Sequence, residues 1–284
     1  MQNPLSNFSS KHFLRVRDHL VSNHLFDLYH DTEWDMLFTH PQPNDLSVYY
    51  ESKNYKPHQS VNKSLWDYIY HFIRNQSFRY KLLIIKKFHP DATSLLDYGT
   101  GTGEFLHYLH KKDFIVSGVE PNNKAREQAN ILLNNRIKVS INEIEDRFDI
   151  ISMWHVLEHL PQPISIIKKL KERLHSDGLL IVAVPNFKSF DASHYGSSWA
   201  AYDVPRHLWH FSPKSIRHLF DKCQMEVIAQ KPLYFDSFYV SWLSEQYKTG
   251  KKRVLHGFSN GLISNFKALK SGDFSSLIYV IRKK

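Results

Sequence analysis

The feature that most constrains the chain is LLDYGTGTGEFLHYL, residues 95 to 109, where Gly99, Gly101 and Gly103 stand between a strand-like run and a helix-like one. A strand that breaks at glycines into a helix leaves backbone N–H groups bare of side chains, so a bound group can approach them and the turn can take positive φ. FIVSGVE then reads as a second strand that ends on Glu120, seventeen residues after Gly103. A carboxylate at that place can accept hydrogen bonds from both hydroxyls of a ribose. Together the two elements point to an adenosine-containing cofactor. The Gly-x-Gly-x-Gly spacing departs from the Gly-x-Gly-x-x-Gly of dinucleotide-binding turns, and the Lys-Ser/Thr pair of a nucleotide-hydrolysing phosphate loop does not follow.

The same alternation continues. Between Ser94 and about Phe187, SLLDYG, FIVSGVE, RIKVSI, FDIISMW and GLLIVAVP read as strands, and GEFLHYLHKK, NNKAREQANILLNN and the stretch around EHLPQPISIIKKLKERL as helices. This order predicts a largely parallel sheet with helices on both faces. Leu65, Tyr68 or Ile69, and Phe72 fall at helical spacing ahead of it, followed by a second apolar helical stretch that ends before Pro90. After it, SPKSIRHLFDKC predicts a helix with Ser212 as N-cap and Pro213 in its first position. MEVIAQKPL and SSLIYVIRK predict two closing strands. Residues 1–60 read as a small accessory region of short strands and loops, broken most firmly at THPQPND, and residues 61–284 as the main domain with lid insertions at about 188–211 and 234–273.

With 284 residues, 42% of them hydrophobic, the chain can bury a large core. Cys223 is its one cysteine, which excludes an intramolecular disulfide and any ligand set of several thiolates. The net charge of +9 is spread along the chain, with one cluster at KTGKKR, Lys248 to Arg253. Such a charge suits nucleic acid, acidic lipid or an acidic small substrate without choosing among them, and a solvated surface is the simpler reading. No apolar run in the first thirty residues is long enough for a leader or a membrane span, so a cytoplasmic protein without a transmembrane segment is expected.

The segments Asp97 to Gly103, Glu120, FDIISMWHVLEHLPQP and LHSDGLLIVAVPN resemble the successive motifs of class I S-adenosylmethionine-dependent methyltransferases, especially the ubiquinone-biosynthesis O-methyltransferase-like subgroup. The resemblance implies a Rossmann-like α/β fold with a seven-stranded, mostly parallel sheet whose last strand is antiparallel, plus a small N-terminal cap. It implies that Gly99, Thr100, Gly101 and Gly103 curve around the methionine and ribose of S-adenosyl-L-methionine, that Glu120 holds the ribose hydroxyls, and that Ile141 and Asn142 lie near adenine. Asp97 would fix the loop, and Trp154 and His155 would stand beside the methyl donor. The implied reaction is a direct in-line methyl transfer, with an oxygen of a small-molecule acceptor as the leading case. The charge keeps an RNA or protein acceptor open, and an inactive cofactor-binding scaffold is the non-enzyme alternative. Some members of the subgroup carry an N-terminal cysteine-rich zinc module; this chain lacks those cysteines, and His12, His19, His24, His30 and His40 form no ligand pattern.

Two local patterns need weighing. His155-Val156-Leu157-Glu158-His159 spells the inverted zinc-peptidase signature, yet it sits between a strand and Pro161 rather than inside a long helix, so no metal is expected. His155 or His159 can instead accept a substrate proton, or simply fill the pocket. The second pattern is AYDVPRHLWHFSP, Ala201 to Pro213, which follows a strand whose carboxyl end should face the cofactor cleft. Here His207 is the preferred substrate-facing catalytic histidine, and Tyr202, Arg206 and His210 are candidates for substrate binding. Arg206 pairs either with an acidic substrate group or with Asp203. Tyr49, Tyr50, Tyr55 and His58 either border the cleft or pack the cap. Phe258, Leu262, Phe266 and Leu269 partly follow helical spacing beside lysines; the glycines and serines among them favour a lid or a homodimer contact over a membrane contact.

Overall fold

The structure, a computed structural model, describes residues 1–50 and 65–284, the side chains of residues 65–72 excepted. Tyr55 and His58 lie outside the described residues. In chain order the elements begin with strands β1 (Ser10–Arg17), β2 (Leu25–Asp31) and β3 (Met36–His40), and continue with α1 (Leu65–Phe88), β4 (Ser94–Tyr98), α2 (Glu104–His110), β5 (Ile115–Val119), α3 (Asn123–Leu133) and β6 (Ile137–Lys138). Next are β7 (Phe148–Trp154), α4 (Pro163–Glu172), β8 (Leu174–Pro185), α5 (Phe190–Tyr195), β9 (Trp209–His210), α6 (Pro213–Lys222), β10 (Met225–Pro232), α7 (Asp236–Thr249), α8 (Val254–Ser271) and β11 (Ser276–Lys283).

The seven-stranded sheet has the order β10-β11-β8-β7-β4-β5-β6. Its strands run parallel except β11, which pairs antiparallel with both β8 and β10. Its central strands are apolar on both faces, as strands covered by helices on each side must be. Leu96, Ile151, Leu180 and Val182 face a core closed by Ile167 and Leu170 of α4 and by Leu219 and Phe220 of α6. Their neighbours Leu95, Ile150, Ile181 and Ala183 face the opposite core, closed by Ile84 and Ile85 of α1, Leu106 of α2 and Ala129 of α3. The helices start where the sequence marks them: Asn122 Oδ1 accepts from the N–H of Ala125, and Ser212 Oγ accepts from the N–H of Ser215 with Pro213 beside it.

Several boundaries differ from expectation. The two helical stretches before Pro90 form one helix, α1. RIKVSI pairs only at Ile137 and Lys138, because Ser140 caps a 3-10 turn over Ile141–Glu143 and ends the edge strand. The helix expected around EHLPQP begins only at Pro163, after a single 3-10 turn at Leu157–His159, since Pro161 cannot donate a helical hydrogen bond.

The accessory region is not closed on itself. β1, β2 and β3 form an antiparallel sheet whose fourth strand is β9, with Leu37 opposite His210 and Phe38 opposite Trp209. Val16, Phe26, Leu28 and Leu37 share a core with Trp199, Tyr202 and Val204 from the 188–211 insertion. The 234–273 insertion is a helical hairpin, α7 and α8. Gly257 and Gly261 let the two helices touch, for a Cβ on Gly257 would meet Trp242 Cα at 2.4 Å and one on Gly261 would meet Phe238 Cα at 2.8 Å. Glycines expected to weaken α8 are thus what seats it. No helix among the described residues is long and apolar enough to cross a membrane. Gly257→Val should lower stability by roughly 1–3 kcal/mol, the usual cost of overpacking; thermal melting should show a clear drop, whereas Ser259→Ala on the exposed side should leave the melting temperature nearly unchanged.

Candidate active site

At the carboxyl end of β4 the chain turns through Gly99, Gly101 and Gly103 with φ of 82°, 57° and 81°, a region that side-chain-bearing L-residues rarely adopt. The N–H groups of Gly99 and Thr100 donate to the carbonyl of Val119 at 2.8 and 3.1 Å, which ties the turn to β5. Glu120 completes this tie: Oε2 accepts from Gly101 N–H at 2.7 Å and Oε1 from Asn122 N–H at 2.9 Å. A carboxylate has about four acceptor positions, so two N–H bonds leave capacity for two hydroxyls. Asp97 is buried at the same strand end and accepts from Ser152 Oγ at 2.5 Å. Burial raises its pKa to about 7, against the pull of Ser152 and Lys81. Lys81 of α1 sets its ammonium 4.1 Å from the centre of the Trp154 ring, and burial lowers its pKa to about 8.

These groups fit an S-adenosylmethionine-type cofactor. A Cβ built on Gly101 meets nothing within 4 Å, so the turn opens onto free space, while one on Gly99 would strike Val156 at 2.4 Å. The buried indole N–H of Trp154 has no partner among the described residues. Ile141 is buried just beyond β6 and Asn142 beside it is exposed, its Oδ1 accepting from Lys169.

The three histidines expected to act on a substrate are held by different partners. His155 has φ of 56°, and its ring lies between two acids, Nε2 at 2.7 Å from Asp236 Oδ2 and Nδ1 at 3.4 Å from Glu158 Oε1. Burial alone would lower its pKa; Asp236 and Glu158 outweigh that and raise it to about 10. His159 Nδ1 lies 3.0 Å from the carbonyl of Arg206 and 2.9 Å from Tyr50 Oη. A carbonyl only accepts, so Nδ1 carries the proton and Nε2 a lone pair. Burial, and then the neighbouring His207, lower the His159 pKa to about 4. His207 stands edge-on to it, ring centres 4.5 Å apart, and its Nδ1–H donates to the Ala201 carbonyl at 2.8 Å. Both rings therefore have Nε2 to offer.

Glu158 is buried beside them, and neither of its oxygens has a hydrogen-bond partner among the described residues. Burial opposes its charge, yet His155, His207 and His159 hold its pKa below the ordinary value. One donor atom from each of Glu158, His159 and His207 lies within 4.8 Å of the other two, so this group could also hold a divalent cation. The zinc-like motif thus does not work as its spelling suggests. His155 is turned away to α7, and His207 takes its place in the cluster.

Tyr202, Arg206 and His210, the candidates for substrate binding, are all buried and bonded or packed within the protein. Arg206 is 1% exposed, with Nε and Nη2 donating to Asp203 at 3.0 and 2.6 Å and Nη2 to Asp18 at 3.2 Å. Tyr202 is buried edge-on against Trp199 and His210. Thr39 Oγ1 donates to the His207 carbonyl at 2.6 Å, so His210 Nε2, 3.1 Å away, donates to that hydroxyl. The accessory sheet covers this part of the loop, and its side chains serve packing. Lys81 and Asp236 are the groups that sequence reading missed, each from an element remote in sequence from the motif it meets.

A family profile described as a methyltransferase domain matches residues 65–230. The chain belongs to this family, the class I S-adenosylmethionine-dependent methyltransferases. The ubiquinone biosynthesis O-methyltransferase of Cereibacter sphaeroides is 26% identical over 184 residues, 57% of this chain and 74% of that one. The mitochondrial ubiquinone biosynthesis O-methyltransferase of Candida albicans is 29% identical over 111 residues, and the match spans only 34% of either protein. Among solved structures, StiE O-MT aligns with a TM-score of 0.52 at 16% identity over 78% of each chain. Magnesium protoporphyrin IX methyltransferase from Synechocystis, with bound SAH, aligns with 0.50 at 12% identity over 80% of this chain and 90% of that one. At such identities the two structures speak for the fold. The methyltransferase takes S-adenosylmethionine as its cofactor.

Two measurements check the site. Gly101→Val should cost about 1–2 kcal/mol in backbone strain and abolish cofactor binding by calorimetry while circular dichroism stays native. Imidazole NMR should find His155 protonated up to about pH 10 and His159 neutral down to about pH 4. The His155 value is raised on folding, so its stabilisation is full below about pH 6.5 and lost as pH rises through 10; the His159 value is lowered, so its contribution is full above about pH 6.5 and lost as pH falls toward 4.

Proposed function

We propose that the protein transfers a methyl group from S-adenosylmethionine to an oxygen of a small metabolite by direct in-line displacement. The observation that carries the reading is the pair of imidazoles, His159 and His207, each fixed at Nδ1 by a carbonyl and each clustered with the buried Glu158 carboxylate. S-adenosylmethionine supplies a methyl already activated by sulfonium charge, so the chain needs no nucleophile of its own. Asp97, Glu120 and the glycine turn bind and orient that cofactor, with Ile141, Asn142 and Trp154 around it.

The acceptor hydroxyl must give up its proton as the carbon–oxygen bond forms. His207 Nε2 receives that proton, His159 holds the oxygen in line, and Glu158 offsets the charge that appears on the imidazole. His155 has a different role: already an imidazolium at neutral pH, it cannot act as base, and it fixes Glu158 and α7 against each other. The relatives named as O-methyltransferases support oxygen as the acceptor atom.

A second reading rests on the same cluster. A divalent cation on Glu158, His159 and His207 would polarise the acceptor oxygen in place of a histidine base. The two separate cleanly, since chelation would stop transfer in the second case only.

Labelled-methyl transfer to a fractionated cell extract tests the acceptor class: label in the small-molecule fraction supports the reading, and label confined to RNA or protein sinks it. With the acceptor in hand, His207→Ala should lower kcat by about 10²–10⁴-fold, the usual range for a lost acid–base group. Calorimetric affinity for the cofactor should not change.

A further inference from the structure

The inner face of α8 is spent and its outer face is bare. Gly257, Gly261, Ser264 and Ala268 are buried; the two glycines lie against α7, and Ser264 Oγ donates to Asp191 of α5 at 2.8 Å. Asn260 adds bonds to Tyr195 Oη at 2.9 Å and Glu245 Oε1 at 3.2 Å. These bonds tie the helix to α5 and α7. On the opposite side stand Leu255, Phe258, Leu262, Phe266 and Leu269, with exposures of 83%, 56%, 56%, 74% and 68%. Their spacing of three and four residues puts all five on one stripe. An apolar row of this kind in water is the mark of an interaction surface.

The charges around the stripe select its partner. Lys251, Lys252 and Arg253 precede the helix, and Lys267 and Lys270 flank its far end, all exposed. None of these cations is in an ion pair among the described residues, although Lys267 also stands 3.7 Å from the centre of the Phe190 ring. α8 itself contains no aspartate or glutamate. Pairing two copies of this helix, parallel or antiparallel, would gather cations at the seam without an acid to meet them. A bilayer bearing anionic headgroups offers what both features lack: phosphate oxygens for the cations and an acyl boundary for the apolar row. We propose that the outer face of α8, with the Lys251–Arg253 cluster, docks the protein in the plane of an anionic lipid surface. At 18 residues the helix lies in that surface and does not cross it. This goes beyond the acceptor reading above and does not depend on it.

The test is sedimentation of the full chain with vesicles of phosphatidylcholine alone and of phosphatidylcholine with phosphatidylglycerol. Binding to the anionic vesicles should be at least tenfold stronger and should weaken with salt. A Leu262→Glu, Phe266→Glu double variant should lose at least tenfold of that binding, and replacing Lys251, Lys252 and Arg253 by Gln should remove the preference for phosphatidylglycerol. All these side chains are exposed, so melting temperature and cofactor calorimetry serve as controls for an intact fold. No vesicle binding by the wild type, equal binding to both compositions, or unchanged binding by the double variant overturns the proposal. So does a concentration-dependent dimer, seen by ultracentrifugation without lipid and abolished by the double variant, which would assign the face to a second copy.

Discussion

The architecture of the cleft depends on one buried cation. Arg206 lies between Asp203 of its own loop and Asp18 at the end of the first accessory strand, and Asp18 also accepts from the N–H groups of Leu20, Val21 and Ser22. A guanidinium out of water is tolerable only when its donors are taken up, and removing one partner from such a group costs roughly 3–5 kcal/mol. The ion triad therefore fixes the loop to the accessory sheet. The consequence reaches the chemistry directly, because the carbonyl of Arg206 orients His159, and the next residue is His207. The accessory region is thus a structural part of the site, joined to it by an ion triad, a shared core and the β3–β9 pairing.

Two imidazoles in one cleft, His155 and His159, are held in unlike states by their neighbours. His155 sits between two carboxylates and keeps its proton; His159 is bonded to a carbonyl, faces another imidazole and stays neutral. The left-handed backbone at His155 makes this sorting possible, since it turns the ring toward α7 instead of along the Glu158–His159 turn. Glu158 is common to both environments. Its charge is sustained by His155 on one side, which leaves it available to whatever reaches His159 and His207 on the other.

What was legible in the sequence was local. The glycine turn, Glu120 and the capped helix at Ser212 are each specified by residues a few positions apart, and they appear where expected. Pro161 correctly argued against a long helix through the His-x-x-Glu-His motif. What was not legible was distant in sequence. Thr39 and His207 are 168 residues apart, and Arg206 and Asp18 are 188 apart, so no period or spacing could announce these contacts; only the Arg206–Asp203 pair, three residues apart, was open to a local reading. The glycines of α8 misled for a related reason. Their helix propensity is poor in isolation, but the contact with α7 that they allow is a tertiary gain that propensity does not count.

The family match ends at residue 230, yet the cleft does not. Asp236 opens α7, and its carboxylate holds the proton on His155 from the first turn of that helix, where a negative charge is favoured by the helix dipole. The same hairpin carries the exposed apolar stripe on its far side. Both features sit on one packed unit, because Gly257 and Gly261 of α8 lie directly against Trp242 and Phe238 of α7. The contact with Asp236 helps raise the His155 pKa, and His155 in turn helps hold that of Glu158 below its ordinary value beside His159 and His207. The C-terminal hairpin therefore belongs to the electrostatics of the site even though no part of it lies within the matched domain.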